Sequence, residues 1–356
     1  MGRITVDTSL ERTTVAGFDF PLGVYPVEPL DPKPGYFEQF EAAEGAEPFL
    51  AGMDEEWEEW PDRWLFDVLV SAQRLPSLFR LCLTLLPSRV YPILDVLGND
   101  DYREIDPYLA YDLVGVDHLV EGIRRYGPWL FEDGMVGFGA MSIDPFVYLF
   151  VDEHKVLTIR VQLDLKERVE KILRAFDLEL VEDIRTADSV HHEHRSILSV
   201  PEDDPRIMGP DDILDELRGA WALELNVPGE GNADEDGKEL GMTGWRCLVR
   251  CIRGEELPDR FAEVLLTADS LDTAERLATE GAARLDDASE TWAAIDPIAL
   301  DRLNPDHFAE ALGEPVGDRM AHAEVCLSRW VEDPGADAAT PIAPESPPES
   351  PRAPAP

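Results

Sequence analysis

The chain has 356 residues, 74 of them Asp or Glu against 31 Lys or Arg, for a formal net charge of −43. A surface this acidic repels nucleic-acid backbones and anionic membranes, and no Lys/Arg run makes a local exception, so neither is expected as a partner. The hydrophobic content of 44% supports real cores, and the N-terminus lacks the apolar run of a secretory leader, so a cytoplasmic protein of one large or two smaller domains is expected.

Residues 1–61 read as an extended arm. Short β-like pieces are followed by Pro21, Pro26, Pro29, Pro32 and Pro34, and then by a stretch from Glu38 to Asp62 with ten acids and no base, interrupted by Phe40, Phe49, Leu50, Trp57 and Trp60. Residues 62–86 become strongly apolar and predict a helix that Pro76 divides in two. Arg89–Leu97 predicts a strand and Val116–Tyr126 a helix with Leu119, Val120 and Ile123 in its buried stripe. Val147–Val151 and Lys155–Leu163 predict two strands joined by a turn at Asp152–His154. A helix follows, with Asp164 and Glu167 spaced as a capping box and Val169, Ile172, Leu173 and Phe176 on one face. Leu178–Ile184 predicts a returning strand.

The fold class expected is α+β, with antiparallel or mixed sheets covered by helices and a ferredoxin-like split βαβ unit across 89–184, within a domain at 62–199. A Pro- and Asp-rich boundary at 200–210 introduces a second α+β domain at 211–331, which a duplication would make a related unit. Its expected elements are strands at Trp221–Val227, Gly244–Arg253 and Glu263–Thr267, a helix capped by Ser270, and a helix at Pro305–Leu312. Residues 332–356, rich in Pro, predict a disordered tail.

Only four of the net negative charges fall in that tail, so the acidity belongs to the folded body. With five Lys and twenty-six Arg among the bases, this composition predicts a salt-adapted surface, because molar salt screens the self-repulsion. Cys82, Cys247, Cys251 and Cys326 form no metal motif, and the expectation is core thiols.

The reactive cluster is His191-His192-Glu193-His194. On an extended chain His192 and His194 share a face and His191 and Glu193 share the other, so a divalent metal would need a further ligand from a neighbouring segment. His154, at the turn between two strands, is the candidate, giving His154, His191, His192 and His194 as metal-ligand candidates. His192 or His194 with Glu193 is the corresponding general-base candidate, with Asp188 a second acid. No GxSxG elbow, Walker loop or GxGxxG is present, and no cofactor is expected apart from that metal. The function expected from the whole chain is non-catalytic binding or structural work with self-association as a homo-oligomer, resting on the apolar load of 57–86 and the arm. Two alternatives stand beside it: a metal-assisted or general-base hydrolase of a small molecule, and an acidic interaction module for a basic protein.

Overall fold

Strict alternation of apolar and polar side chains in 157–162 buries Leu157, Ile159 and Val161 completely and leaves Thr158, Arg160 and Gln162 half-buried. The same period of two recurs across a sheet that organises most of the chain. The computed structural model describes residues 2–43, 61–201, 204, 206–253, 258–285 and 292–331. Phe49, Leu50, Trp57, Trp60 and the Pro-rich tail lie outside the described residues.

The arm carries β1 (Thr14–Val15), β2 (Phe18–Asp19) and β3 (Val24–Pro26). Then come β4 (Gly35–Glu41), β5 (Arg63–Leu69), α1 (Leu75–Cys82), β6 (Arg89–Leu97), β7 (Ile105–Ala110), β8 (Val114–Gly115), α2 (Val116–Glu132), β9 (Val136–Ser142), β10 (Val147–Val151), β11 (Leu157–Gln162), α3 (Lys166–Ala175) and β12 (His192–His194). The remainder is α4 (Pro210–Trp221), β13 (Leu223–Leu225), β14 (Thr243–Ile252), β15 (Arg260–Ala268), α5 (Leu271–Ala283), β16 (Ala294–Leu303), α6 (Pro305–Leu312) and β17 (Glu324–Trp330). The large sheet has the order β13-β7-β6-β9-β10-β11-β5-β4, with β8 also on β6, and every pairing in it is antiparallel. Helices α1 to α4 cover one face, where Phe79, Trp129, Leu173 and Trp221 meet Phe66, Leu94, Phe138 and Leu149 in one core. The small sheet, β16-β14-β15-β17, packs Cys247, Val249, Cys251 and Val264 against Ala274 and Ala278 of α5.

An α+β fold of antiparallel sheets covered by helices is thus present. α2 runs from the β7–β8 side of β6 to β9 on its other side, so β7 and β9 are parallel with β6 between them, whereas the strand expected to close the ferredoxin-like unit is not formed. Leu178–Ile184 supplies a single bridge, Leu180 to Tyr36, rather than a strand. The two sheets share a strand order. Hairpin β6–β7 has β9 beside β6 after α2 and β13 beside β7 after α4. Hairpin β14–β15 has β16 beside β14 after α5 and β17 beside β15 after α6.

Three further expectations change. Residues 63–69 are a strand held on both sides by β4 and β11, and Pro76 starts α1 near its N-terminus, where a missing N–H costs nothing, instead of dividing a long helix. Asp164 and Glu167 do not cap α3, and Asp164 accepts from Gln162 Nε2 at 2.7 Å. The stretch expected to open the second domain, α4 with β13, instead extends the large sheet beside β7. Ser270 does cap α5, its Oγ accepting from the Thr273 N–H at 3.3 Å. The arm crosses its own chain, with Val6 bridged to Leu198 and β3 paired with β12. Cys82 and Cys247 are buried free thiols, and Cys251 is likewise buried. Among the described residues no helix is long and apolar enough to cross a membrane.

Candidate metal centre

β12 pairs with β3 in the register His192–Pro26, Glu193–Tyr25, His194–Val24, so successive side chains alternate and the two histidines face the same way. Glu193 therefore points away, where it pairs with Arg195 at 2.6 Å, and Arg195 stacks over the Tyr25 ring. His191 is exposed by the same alternation. Neither His191, a metal candidate, nor Glu193, a general-base candidate, joins the cluster. The strand is fixed in depth by the buried carboxylate of Asp133, which accepts from Ile197 N–H at 2.8 Å, Met135 N–H at 2.9 Å and Ser196 Oγ at 3.1 Å. Beside it Gly134 and Gly23 must both be glycine, because a Cβ on Gly134 would fall 2.1 Å from the Gly23 carbonyl oxygen.

His154 arrives from the β10–β11 turn. Asp152 Oδ1 accepts from Val156 N–H at 2.7 Å, and Lys155 takes a positive φ of 66° that sends its side chain inward to the Val136 carbonyl. Burial pulls the Lys155 ammonium down to about 8 against the opposing pull of Asp133 and Asp152. With Lys155 turned in, His154 faces β12.

The three imidazoles converge through Nε2. His154 Nε2 lies 3.0 Å from His192 Nε2, which lies 3.1 Å from His194 Nε2. The outer nitrogens are already committed: His192 Nδ1 to the Val190 carbonyl at 2.8 Å, His194 Nδ1 to the Gly134 carbonyl at 2.6 Å, and His154 Nδ1 toward Glu153 Oε1 at 3.3 Å. A carbonyl oxygen only accepts, so Nδ1 of His192 and His194 carries a proton, and in the neutral ring Nε2 then presents a lone pair. Burial lowers the His194 pKa, with the bond to Gly134 opposing and His192 adding to the effect. Burial likewise lowers that of His154, which Glu153 partly offsets. Both rings are neutral at pH 7. Lone pairs facing one another at 3.1 Å repel unless a proton or a metal ion lies between them.

Metal ligation supplies that cation's geometry. A Zn–N bond of about 2.0–2.1 Å places tetrahedral ligand nitrogens about 3.3 Å apart and right-angle ones about 2.9 Å apart, a range that brackets the two short pairs, and all three ligand atoms lie within 4.8 Å of one another. The carbonyls and carboxylate on Nδ1 are the outer partners that metal-binding histidines characteristically keep.

The cluster opens on a cavity of about 810 Å³. Its opposite wall is the β6–β7 loop around Asp100–Glu104, and residues 234–236 close the side, with Asp188 on the histidine side. The loop is clamped by the small sheet: Arg302 Nε donates to Asp100 Oδ2 at 2.9 Å in a fully buried pair, Arg302 also donates to Asn232 Oδ1 at 3.1 Å, and Asp101 accepts from Asn304 N–H at 2.7 Å. Sequence reading missed this clamp, since no local pattern links residues so far apart. The nearby serines offer no nucleophile: Ser189 Oγ donates to the Thr186 carbonyl at 2.7 Å, and Ser196 is bound to Asp133.

Compared with protein-family models, curated proteins and solved structures, the chain matches none.

Proposed function

We propose that the chain is a metal-dependent hydrolase of small molecules, with one divalent transition metal, zinc in the first instance, held by Nε2 of His154, His192 and His194. The observation that carries this reading is the convergence of three imidazole Nε2 atoms, with the outer nitrogens of His192 and His194 committed to backbone carbonyls. Three protein ligands leave a position for water on the side of the cavity, and a metal-bound water ionises near neutral pH, at about 7. A metal held by these three residues would supply an activated water for attack on a carbonyl carbon, and Asp188 on the cavity wall would be the acid that carries the water's proton to the leaving group. Glu104, Asp188, Glu235 and Asp236 line the cavity without an ion-pair partner among the described residues, so neutral or cationic substrates are favoured over phosphate esters. The cavity volume falls within the range of about 300–1,000 Å³ typical of small-molecule sites.

The competing reading is a non-catalytic, self-associating protein with a salt-adapted acidic surface, or a docking module for a basic protein. Untagged protein reconstituted with Co(II) separates these. One Co(II) per chain with visible d–d absorption that azide perturbs supports an open metal site. A folded protein that takes up no metal would sink the hydrolase reading, and an azide-silent spectrum would make the centre structural.

A further inference from the structure

The faces of α1 and α2 that meet at the surface continue the apolar positions of the core outward. On α1 and the turn after it these are Pro76, Phe79 and Leu83; on α2 they are Val120, Ile123 and Phe131, all at the three- and four-residue steps of one helical face. Together they line a slot of about 650 Å³, with Phe79 and Phe131 as its floor and Leu22 of the arm closing one side. Two irregularities open it. α2 bends at Tyr126, with φ −107° and ψ 18°, just before Pro128, and a Cβ on Gly127 would meet nothing within 4 Å.

Each helix adds one arginine to the slot, Arg80 from α1 and Arg124 from α2. Among the described residues neither makes a hydrogen bond, ion pair or ring contact, in a chain whose net charge is −43. The neighbouring charges are spoken for: Arg125 pairs with Glu216, and Glu132, the acid in the slot, is held by Arg12 at 2.8 Å. Two free guanidinium groups beside an apolar slot complement an anionic head joined to an apolar body.

We infer that this slot is a second binding site, for a monocarboxylate with an apolar tail of the fatty-acid kind, its head held by Arg80 and Arg124. The fork geometry of guanidinium suits a carboxylate, and the slot, walled on three sides by α1, α2 and the arm, suits a small molecule. It lies apart from the histidine cluster and does not depend on the metal.

Calorimetric titration of the full-length chain with dodecanoate, below its micellar concentration, tests this. The wild type is expected to bind dodecanoate at least about tenfold more tightly than dodecanol, and the double variant Arg80→Gln/Arg124→Gln to lose that preference while keeping its affinity for dodecanol. Both arginines are exposed and unpaired, so the double variant should unfold at the wild-type temperature. Gly127→Leu fills the slot from a position with free space, and should abolish binding of both probes without lowering the unfolding temperature. Absence of dodecanoate binding by the wild type, equal preference in the double variant, or unchanged binding by Gly127→Leu would each overturn the inference.

Discussion

The cavity has a polar cluster on each side, and the two are built on opposite rules. In the clamp, Asp100 and Arg302 are buried together, and the guanidinium also reaches Asn232 and the Ala233 carbonyl, so donors meet acceptors. Across the cavity, three histidines bring like against like, lone pair facing lone pair at 3.0 and 3.1 Å. A cluster whose members satisfy one another is complete within the protein. A cluster whose outer atoms are satisfied and whose inner atoms repel is complete only with something added. That contrast is what the proposed metal site rests on, and it gives the clamp a structural part.

Removing one member from each cluster gives the sharpest test. His192→Ala is expected to eliminate stoichiometric metal binding, a larger loss than the about 10–100-fold commanded by outer partners, while leaving the metal-free protein as stable as the wild type or slightly more so. Metal titration and urea unfolding in chelator read the two halves; a marked fall in metal-free stability would mean that the histidines hold the fold together. Arg302→Met should behave in the reverse way. It takes from the buried Asp100 carboxylate its nearest cation and leaves only Arg103 at 3.6 Å, at a cost of up to about 3–5 kcal/mol, and should not change metal affinity in protein that remains folded. Urea unfolding measures the cost, and an unchanged midpoint would remove the distinction between the clusters.

The two sides of the cavity also differ in how far the sequence foretells them. The pairing of His192 with His194 follows from strand alternation, and the place of His154 follows from the turn between two well-patterned strands. Their meeting does not: it needs β3 of the arm to hold β12, a pairing between segments whose local pattern carries no record of each other. Asp100 and Arg302 are still less visible, being ordinary charged residues in a chain full of carboxylates. Among the elements, α5 and the β10–β11 hairpin are legible because their periodicity runs unbroken. Residues 63–69 are not, since a short continuous apolar run suits a buried strand and a helix alike. β16 escaped because Pro297 interrupts it, at the point where its register with β14 shifts between Leu248 and Val249. The helix α4 was missed although Gly209-Pro210-Asp211-Asp212 is a start signal and Ile213, Leu217 and Trp221 form its buried face.

A milder change tests whether the outer atoms of the histidine cluster matter as the contrast requires. Glu153→Gln keeps an oxygen that can accept from His154 Nδ1 and removes the negative charge that makes the ring a better ligand. Metal affinity is expected to fall about tenfold, read by competition with a chromophoric chelator, while stability in chelator stays put. Unchanged affinity would detach Glu153 from the centre.

The smallest effect is expected from pH, and its sign follows from the lowered pKa values of His154 and His194. An ordinary imidazole titrates at about 6.5. In metal-free protein the unfolded chain therefore takes up protons before the folded one does, so the stability owed to these neutral rings is intact above about pH 6.5 and declines as the pH falls toward the lowered folded values. Carboxylates titrate in the same direction at lower pH, so the informative quantity is the difference between the wild type and a His154→Ala/His194→Ala variant, in urea midpoints at pH 7.5 and 5.5. The wild type should lose more. With saturating zinc its decline should steepen, because protons and metal compete for the same three Nε2 atoms, whereas the variant should not respond to zinc at all. A wild type whose pH dependence is the same with and without zinc would show that the converging nitrogens do not hold the ion, and the contrast between the two sides of the cavity would then be one of packing alone.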